Sequence, residues 1–179
     1  MRRTLVLFLT LLLLWTIVTQ LNHALTPLHV YVFTGSLFAV YAALTQPLVP
    51  GMIATALGGL LCDAHMPIAR DLSPLAFSLA HTHLLLFAAA HATIFHLRDR
   101  VPRDDTTTRV IVAVLANFVL FMLFSFIEIA LLPTPAAVWP RLIVDLICSQ
   151  VFVALVTPWF FAVQARALAL VRLERDEFA

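Results

Sequence analysis

Residues 96–109, HLRDRVPRDDTTTR, form the longest hydrophilic run of the chain, and this run decides how the rest is arranged. It holds four of the eleven arginines, and the sequence on either side is apolar almost throughout. A basic loop between apolar segments stays in the cytoplasm, because arginines next to a membrane span resist translocation. The run therefore fixes the predicted orientation of every other segment.

The composition indicates a membrane protein with several spans. Hydrophobic residues make up 62% of the 179 residues and charged residues only 12%. A water-soluble domain of this length could not bury so much apolar surface. The formal net charge of +1 says little about partners, because all eleven basic residues are arginines and their distribution matters more than their sum.

Six apolar segments are predicted to be transmembrane helices of one all-α bundle, and they lie at about residues 4–21, 29–44, 46–63, 74–96, 110–132 and 137–164. Residues 165–179 are predicted to form a cytoplasmic tail with a short helical extension. We expect the first segment to be a retained helix, since its apolar run lacks the small-residue cleavage site of a secretory signal. This topology places nine arginines inside and only Arg70 and Arg141 outside, so both termini are expected in the cytoplasm.

Small residues recur every four positions in the third segment. They form two rows, Gly51, Thr55 and Gly59 in one and Ala54, Gly58 and Cys62 in the other. Small residues at this spacing let two membrane helices approach closely. We therefore expect the third helix to be a packing helix and the most buried of the bundle.

Charged residues outside the cytoplasmic regions are predicted to share one outer layer. They are Asp63, Arg70, Asp71, Glu128, Arg141 and Asp145. Arg141 and Asp145 are four residues apart on one helix, which predicts an ion pair. Glu128 is expected to point into the bundle, with Arg141 as the best donor and Arg70 as the second. Two interpretations stay open: solvation at the interface with one structural ion pair, or a polar cavity or partner-docking site.

Other chemistry finds no support in the sequence. The histidines of the fourth segment, at positions 81, 83, 91 and 96, point in different directions around a helix and share no metal-ligand spacing. The sequence shows no nucleophile with an adjacent base and no phosphate-binding glycine loop. We expect no enzyme activity, cofactor, metal site or nucleic-acid binding, and the basic loop is explained by topology and anionic lipid.

Two stretches resemble the bacterial rod shape-determining MreD family. These are residues 58–81, GGLLCDAHMPIARDLSPLAFSLAH, and residues 153–168, VALVTPWFFAVQARAL. Asp63 looks like the family's aspartate at the end of a glycine-rich helix, and residues 157–161, TPWFF, look like its proline-aromatic segment. The chain departs from the family pattern after Asp63, where the family usually has glycines.

The resemblance implies a non-catalytic subunit of the cell-elongation machinery in the bacterial cytoplasmic (inner) membrane, which supports cell shape and peptidoglycan synthesis through protein contacts. Its implied partners are MreC-type and MreB-type proteins and the elongation-specific peptidoglycan synthase. The alternative is a substrate-binding membrane subunit similar to those of energy-coupling-factor vitamin transporters, which share the size and the six-helix layout. Shape-determination genes beside this one would favour the first interpretation, and transporter ATPase genes the second.

Overall fold

The computed structural model describes residues 2–65, 82–102, 105–130 and 139–176, and this part of the chain is α-helical with no strand. The helices are α1 (Arg2–Leu25), α2 (Gly35–Thr45), α3 (Leu48–His65), α4 (Thr82–Leu97), α5 (Thr106–Ala130) and α6 (Trp139–Asp176). Short 3-10 turns at Thr26–Leu28 and Arg98–Arg100 follow α1 and α4. The predicted all-helical fold class is confirmed.

Three of these helices are long and apolar enough to cross a membrane. The stretches are Leu5–Leu28, Thr106–Ile127 and Trp139–Ala169, which belong to α1, α5 and α6. A span needs about 20 residues, because the hydrocarbon core is about 30 Å thick. The apolar helices Gly35–Thr45 and Leu48–Cys62 are shorter. Length and composition therefore support three of the six predicted spans.

The second predicted segment is only partly helical. The prediction began at residue 29, whereas α2 begins at Gly35. His29 has a left-handed backbone conformation (φ 54°) and ends the preceding 3-10 turn. Residues 30–34 follow it with no regular secondary structure. This stretch is called the linker segment below, and it carries the chain from the end of α1 into the bundle.

The most buried helix is α2, so the expectation that the third helix would be the most buried is wrong. Every residue from 36 to 44 is buried, because α2 contacts α3, α4, α5 and α6. On α3, by contrast, Ile53 and Leu60 are exposed. The α2 sequence is largely apolar, and its polar residues Ser36, Tyr41 and Thr45 do not form one continuous face that would distinguish lipid contact from protein contact.

The small residues of α3 lie at its closest contacts with neighbouring helices. A Cβ atom added at Gly59 would stand 2.6 Å from the Cα of Leu84, which is backbone of α4. One added at Gly51 would stand 2.6 Å from Cε1 of His91, also on α4. At Gly58 the nearest atom is a side-chain methyl of Leu11, at 3.3 Å. Gly59 therefore sets how closely α3 and α4 approach.

The helix α6 continues through Pro158 to Asp176, beyond the predicted end of the sixth span at residue 164. Its proline-aromatic segment packs on α2. The ring of Tyr41 meets those of Phe160 and Phe161 edge to face, with centroids 5.9 and 5.1 Å apart. Thr157 is fully buried beside them. The segment that carries part of the family resemblance therefore packs Thr157, Phe160 and Phe161 into the core, whereas Trp159 is exposed.

Candidate functional site

The linker segment has no helical hydrogen bonds, and side chains of α1 and α6 bind its backbone instead. The amide of Tyr31 donates to Oδ1 of Asp145 over 2.8 Å, and the amide of Phe33 donates to Oγ of Ser149 over 2.9 Å. Asn22 binds Val32 twice: its Oδ1 accepts from the amide, and its Nδ2 donates to the carbonyl. Buried backbone polar groups must be paired, and in a bilayer non-helical backbone persists only where protein or a cavity surrounds it. These side chains therefore make the break before α2 possible.

Asp145 is the centre of this arrangement. Its side chain is only 6% exposed, and its second carboxylate oxygen lies 3.7 Å from Nε of Arg141, whose side chain is 59% exposed. The ion pair expected from the helical spacing is thus present, although this separation exceeds hydrogen-bond length. Ser149 extends the arrangement by one turn, because its hydroxyl donates to the Asp145 carbonyl while accepting from Phe33. Asp145 binds backbone on one side and a partly solvated cation on the other.

Of the predicted outer layer, the structure brings together Arg141 and Asp145. Asp63 lies near the end of α3 and Glu128 near the end of α5, but their side chains fall outside the described part of the molecule. Arg70 and Asp71 also lie outside it. The expectation that Glu128 points inward therefore stays a prediction.

Sequence reasoning missed Asn22, Ser149 and a third polar contact, between Ser36 and Asn117. The hydroxyl of Ser36 donates to Oδ1 of Asn117 over 2.7 Å, and both residues are fully buried. Ser149 follows Asp145 by four residues, so its place on the same helix face could have been read from the sequence. Asn22 and Asn117 carried no comparable signal, because their partners lie on other elements.

The described histidines lie in separate surroundings. His91 is fully buried, and its Nδ1 lies 3.1 Å from Oγ1 of Thr55 on α3. The imidazole of His83 stacks on the ring of Phe124, with centroids 3.9 Å apart. His96 contacts the backbone carbonyl of its own preceding turn. Within the described ranges, no three histidine, cysteine or acidic side chains gather where a metal ion could be held.

A cavity of about 590 Å³ lies beside the linker segment. Its walls come from the linker segment and all six described helices, α1 to α6, and they are mainly apolar and aromatic. The aromatic side includes Phe33, Phe87 and Phe124, and polar groups on the wall include Arg141 and Asp145. The volume falls within the range of small-molecule sites, about 300–1,000 Å³. An apolar cavity with a few polar groups can hold and orient a small molecule.

The three long apolar helices are compatible with an integral membrane protein. Comparison of the chain with protein-family models, with curated proteins and with solved structures finds no match.

Proposed function

We propose that the chain is a non-catalytic membrane subunit of the bacterial cell-elongation machinery. The proposal rests on the resemblance of residues 58–81 and 153–168 to the MreD family and on the helical architecture. In this role the chain contacts MreC-type and MreB-type proteins and the elongation-specific peptidoglycan synthase. No cofactor enters this role.

The observation that carries the proposal is an apolar ridge on α6. Its members recur every four residues and are all exposed: Ile143, Ile147, Val151, Leu155 and Trp159. The most exposed are Leu155, at 74%, and Trp159, at 63%. Polar side chains of α6, such as Asp145 and Ser149, face inward and bind the linker segment. The outward face of α6 therefore offers an apolar surface for close packing, and van der Waals packing is a main force that joins helices in lipid.

The proposed topology has six spans, with both termini and the basic loop in the cytoplasm. The short α2 is compatible with this topology. Its 11 residues rise about 16 Å, and the five non-helical residues before it can add at most about 16 Å, so together they can reach about 30 Å. Reporter fusions within residues 98–109 and after Ala179 should both report a cytoplasmic location. A periplasmic signal from either fusion would contradict the topology.

Photo-crosslinking tests the proposed role of the ridge. A benzoylphenylalanine at Leu155 of a tagged chain, in a rod-shaped bacterium that depends on it, should crosslink to the MreC-type protein or the elongation synthase. The same residue at Leu85, which is 65% exposed on α4, serves as the matched control on another surface. Depletion of the chain should round the cells. Normal rods after complete depletion would refute the elongation role, and recovery of a transporter ATPase would support the vitamin-transporter alternative instead.

A further inference from the structure

We propose that the cavity beside the linker segment binds a small molecule that has a flat apolar body and one carboxylate. The inference concerns the chain alone and does not depend on the proposed elongation partners. Its starting point is the cavity, about 590 Å³ in volume, with walls from the linker segment and all six described helices, α1 to α6. A site of this size encloses most of a small organic molecule.

Aromatic rings determine the shape of the ligand body. Phe33, Phe87 and Phe124 line the cavity and pack against one another, with centroids 5.5 to 6.3 Å apart. The stacked imidazole of His83 also lies on the wall. Flat rings favour stacking and edge-to-face contacts, each worth about 0.5–1.5 kcal/mol beyond the buried area. A flat aromatic molecule therefore fits this wall better than a flexible chain of the same size.

Two features of the wall favour an anionic group. Arg141 lines the cavity, and its guanidinium carries five N–H donors, of which Nε stands 3.7 Å from Asp145. The first turn of α2 also faces the cavity at Gly35, and no side chain in the described structure caps this helix start. The start of a helix carries a partial positive charge and unpaired N–H groups. One carboxylate oxygen of Asp145 already accepts a hydrogen bond from the Tyr31 amide. A ligand carboxylate would therefore be bound by the Arg141 guanidinium and by the N–H groups at the start of α2.

Binding of 1-naphthaleneacetate to the full chain in lipid nanodiscs tests the proposal, with empty nanodiscs as the blank. The uncharged 1-naphthaleneethanol and the cationic 1-naphthylmethylamine serve as matched probes. Ligand-observed NMR should show saturable binding that is tightest for the carboxylate and weakest for the amine. Arg141→Gln should weaken carboxylate binding about tenfold or more and leave the alcohol unchanged, because a hydrogen bond to a charged group is lost. Absence of saturable binding above the blank, or tighter binding of the amine, would overturn the proposal.

Neighbouring residues on α1 supply a matched pair of variants that locates the site. Val18 lines the cavity, whereas Ile17 is 49% exposed and does not line it. Val18→Trp should fill the cavity and abolish binding, while Ile17→Trp should bind like the wild type. Equal binding by the two variants would refute the location.

The two native cysteines allow a further test on the wild-type chain, so this test does not depend on the folding of any variant. Cys62 lines the cavity and Cys148 does not, and both cysteine side chains are half-buried. Saturating 1-naphthaleneacetate should slow N-ethylmaleimide labelling of Cys62 and leave that of Cys148 unchanged. Equal labelling rates with and without the carboxylate would contradict a ligand in this cavity.

Discussion

Removing one hydroxyl tests whether side chains hold the linker segment in place. In the fold, the buried amide of Phe33 donates to Oγ of Ser149 over 2.9 Å, and both residues are buried. Ser149→Ala removes this acceptor and leaves the amide without a partner. An unsatisfied buried donor costs about 1–3 kcal/mol, which is about 5- to 150-fold in the folding equilibrium. The linker segment is not helical, so no carbonyl of a preceding helical turn can accept from the Phe33 amide instead.

The assay is unfolding of the purified chain in mixed micelles by titration with sodium dodecyl sulfate, followed by tryptophan fluorescence. The matched control is Thr16→Ala, which also removes one hydroxyl, but from an exposed residue that bonds to its own helix. The control should change stability by less than about 0.5 kcal/mol. Coincident unfolding curves for Ser149→Ala and the wild type would refute the argument that this bond holds the linker segment.

Two further predictions concern helix contacts and the start of α5. Gly59→Ala should destabilise the chain by about 1–3 kcal/mol in the same assay, because the new Cβ meets the backbone of Leu84. The control Gly58→Ala should be nearly neutral, because its new Cβ meets the flexible side chain of Leu11. Equal effects of the two substitutions would contradict the observed packing. Asp105 accepts hydrogen bonds from the amide and the hydroxyl of Thr108, and the amide bond contributes most to lowering the pKa of Asp105 below its ordinary value. A lowered pKa in the folded state means that this cap stabilises above about pH 4 and is lost as the pH falls through the folded pKa. Asp105→Ala should therefore reduce amide exchange protection in the first turn of α5 at pH 7, and this effect should disappear as the pH falls through the folded pKa. An effect that stays the same at all pH values would refute this.

Hydrophobic length and small-residue spacing predicted the parts of the fold that depend on local sequence. The apolar runs at residues 4–21 and 110–132 overlap α1 and α5, because only a helix satisfies its own backbone along such a run. The spacing of Gly51 and Gly59 indicated close helix contacts, and both glycines lie against α4. The four-residue spacing of Arg141 and Asp145 likewise predicted their pairing. Each of these inferences needs only residues of one element.

The linker segment could not be predicted in the same way. Residues 29–33, HVYVF, are aromatic and β-branched, a composition compatible with either a membrane helix or an extended strand. The non-helical form is stabilised by Asn22, Asp145 and Ser149, two of which lie more than a hundred residues later in the chain. Such long-range bonds leave no periodic signal in the segment itself. The sequence therefore predicted a helix where tertiary hydrogen bonds hold a non-helical chain.

The linker segment also forms part of the cavity wall. Tyr31, Val32 and Phe33 line the cavity, and their backbone groups are the ones that Asn22, Asp145 and Ser149 bind. The hydrogen bonds that hold the segment therefore also hold this part of the wall in place. It follows that Ser149→Ala should weaken 1-naphthaleneacetate binding although Ser149 does not line the cavity, because the variant favours states in which the segment has left its place. Unchanged affinity in a variant that is clearly destabilised would separate the two features and refute this link.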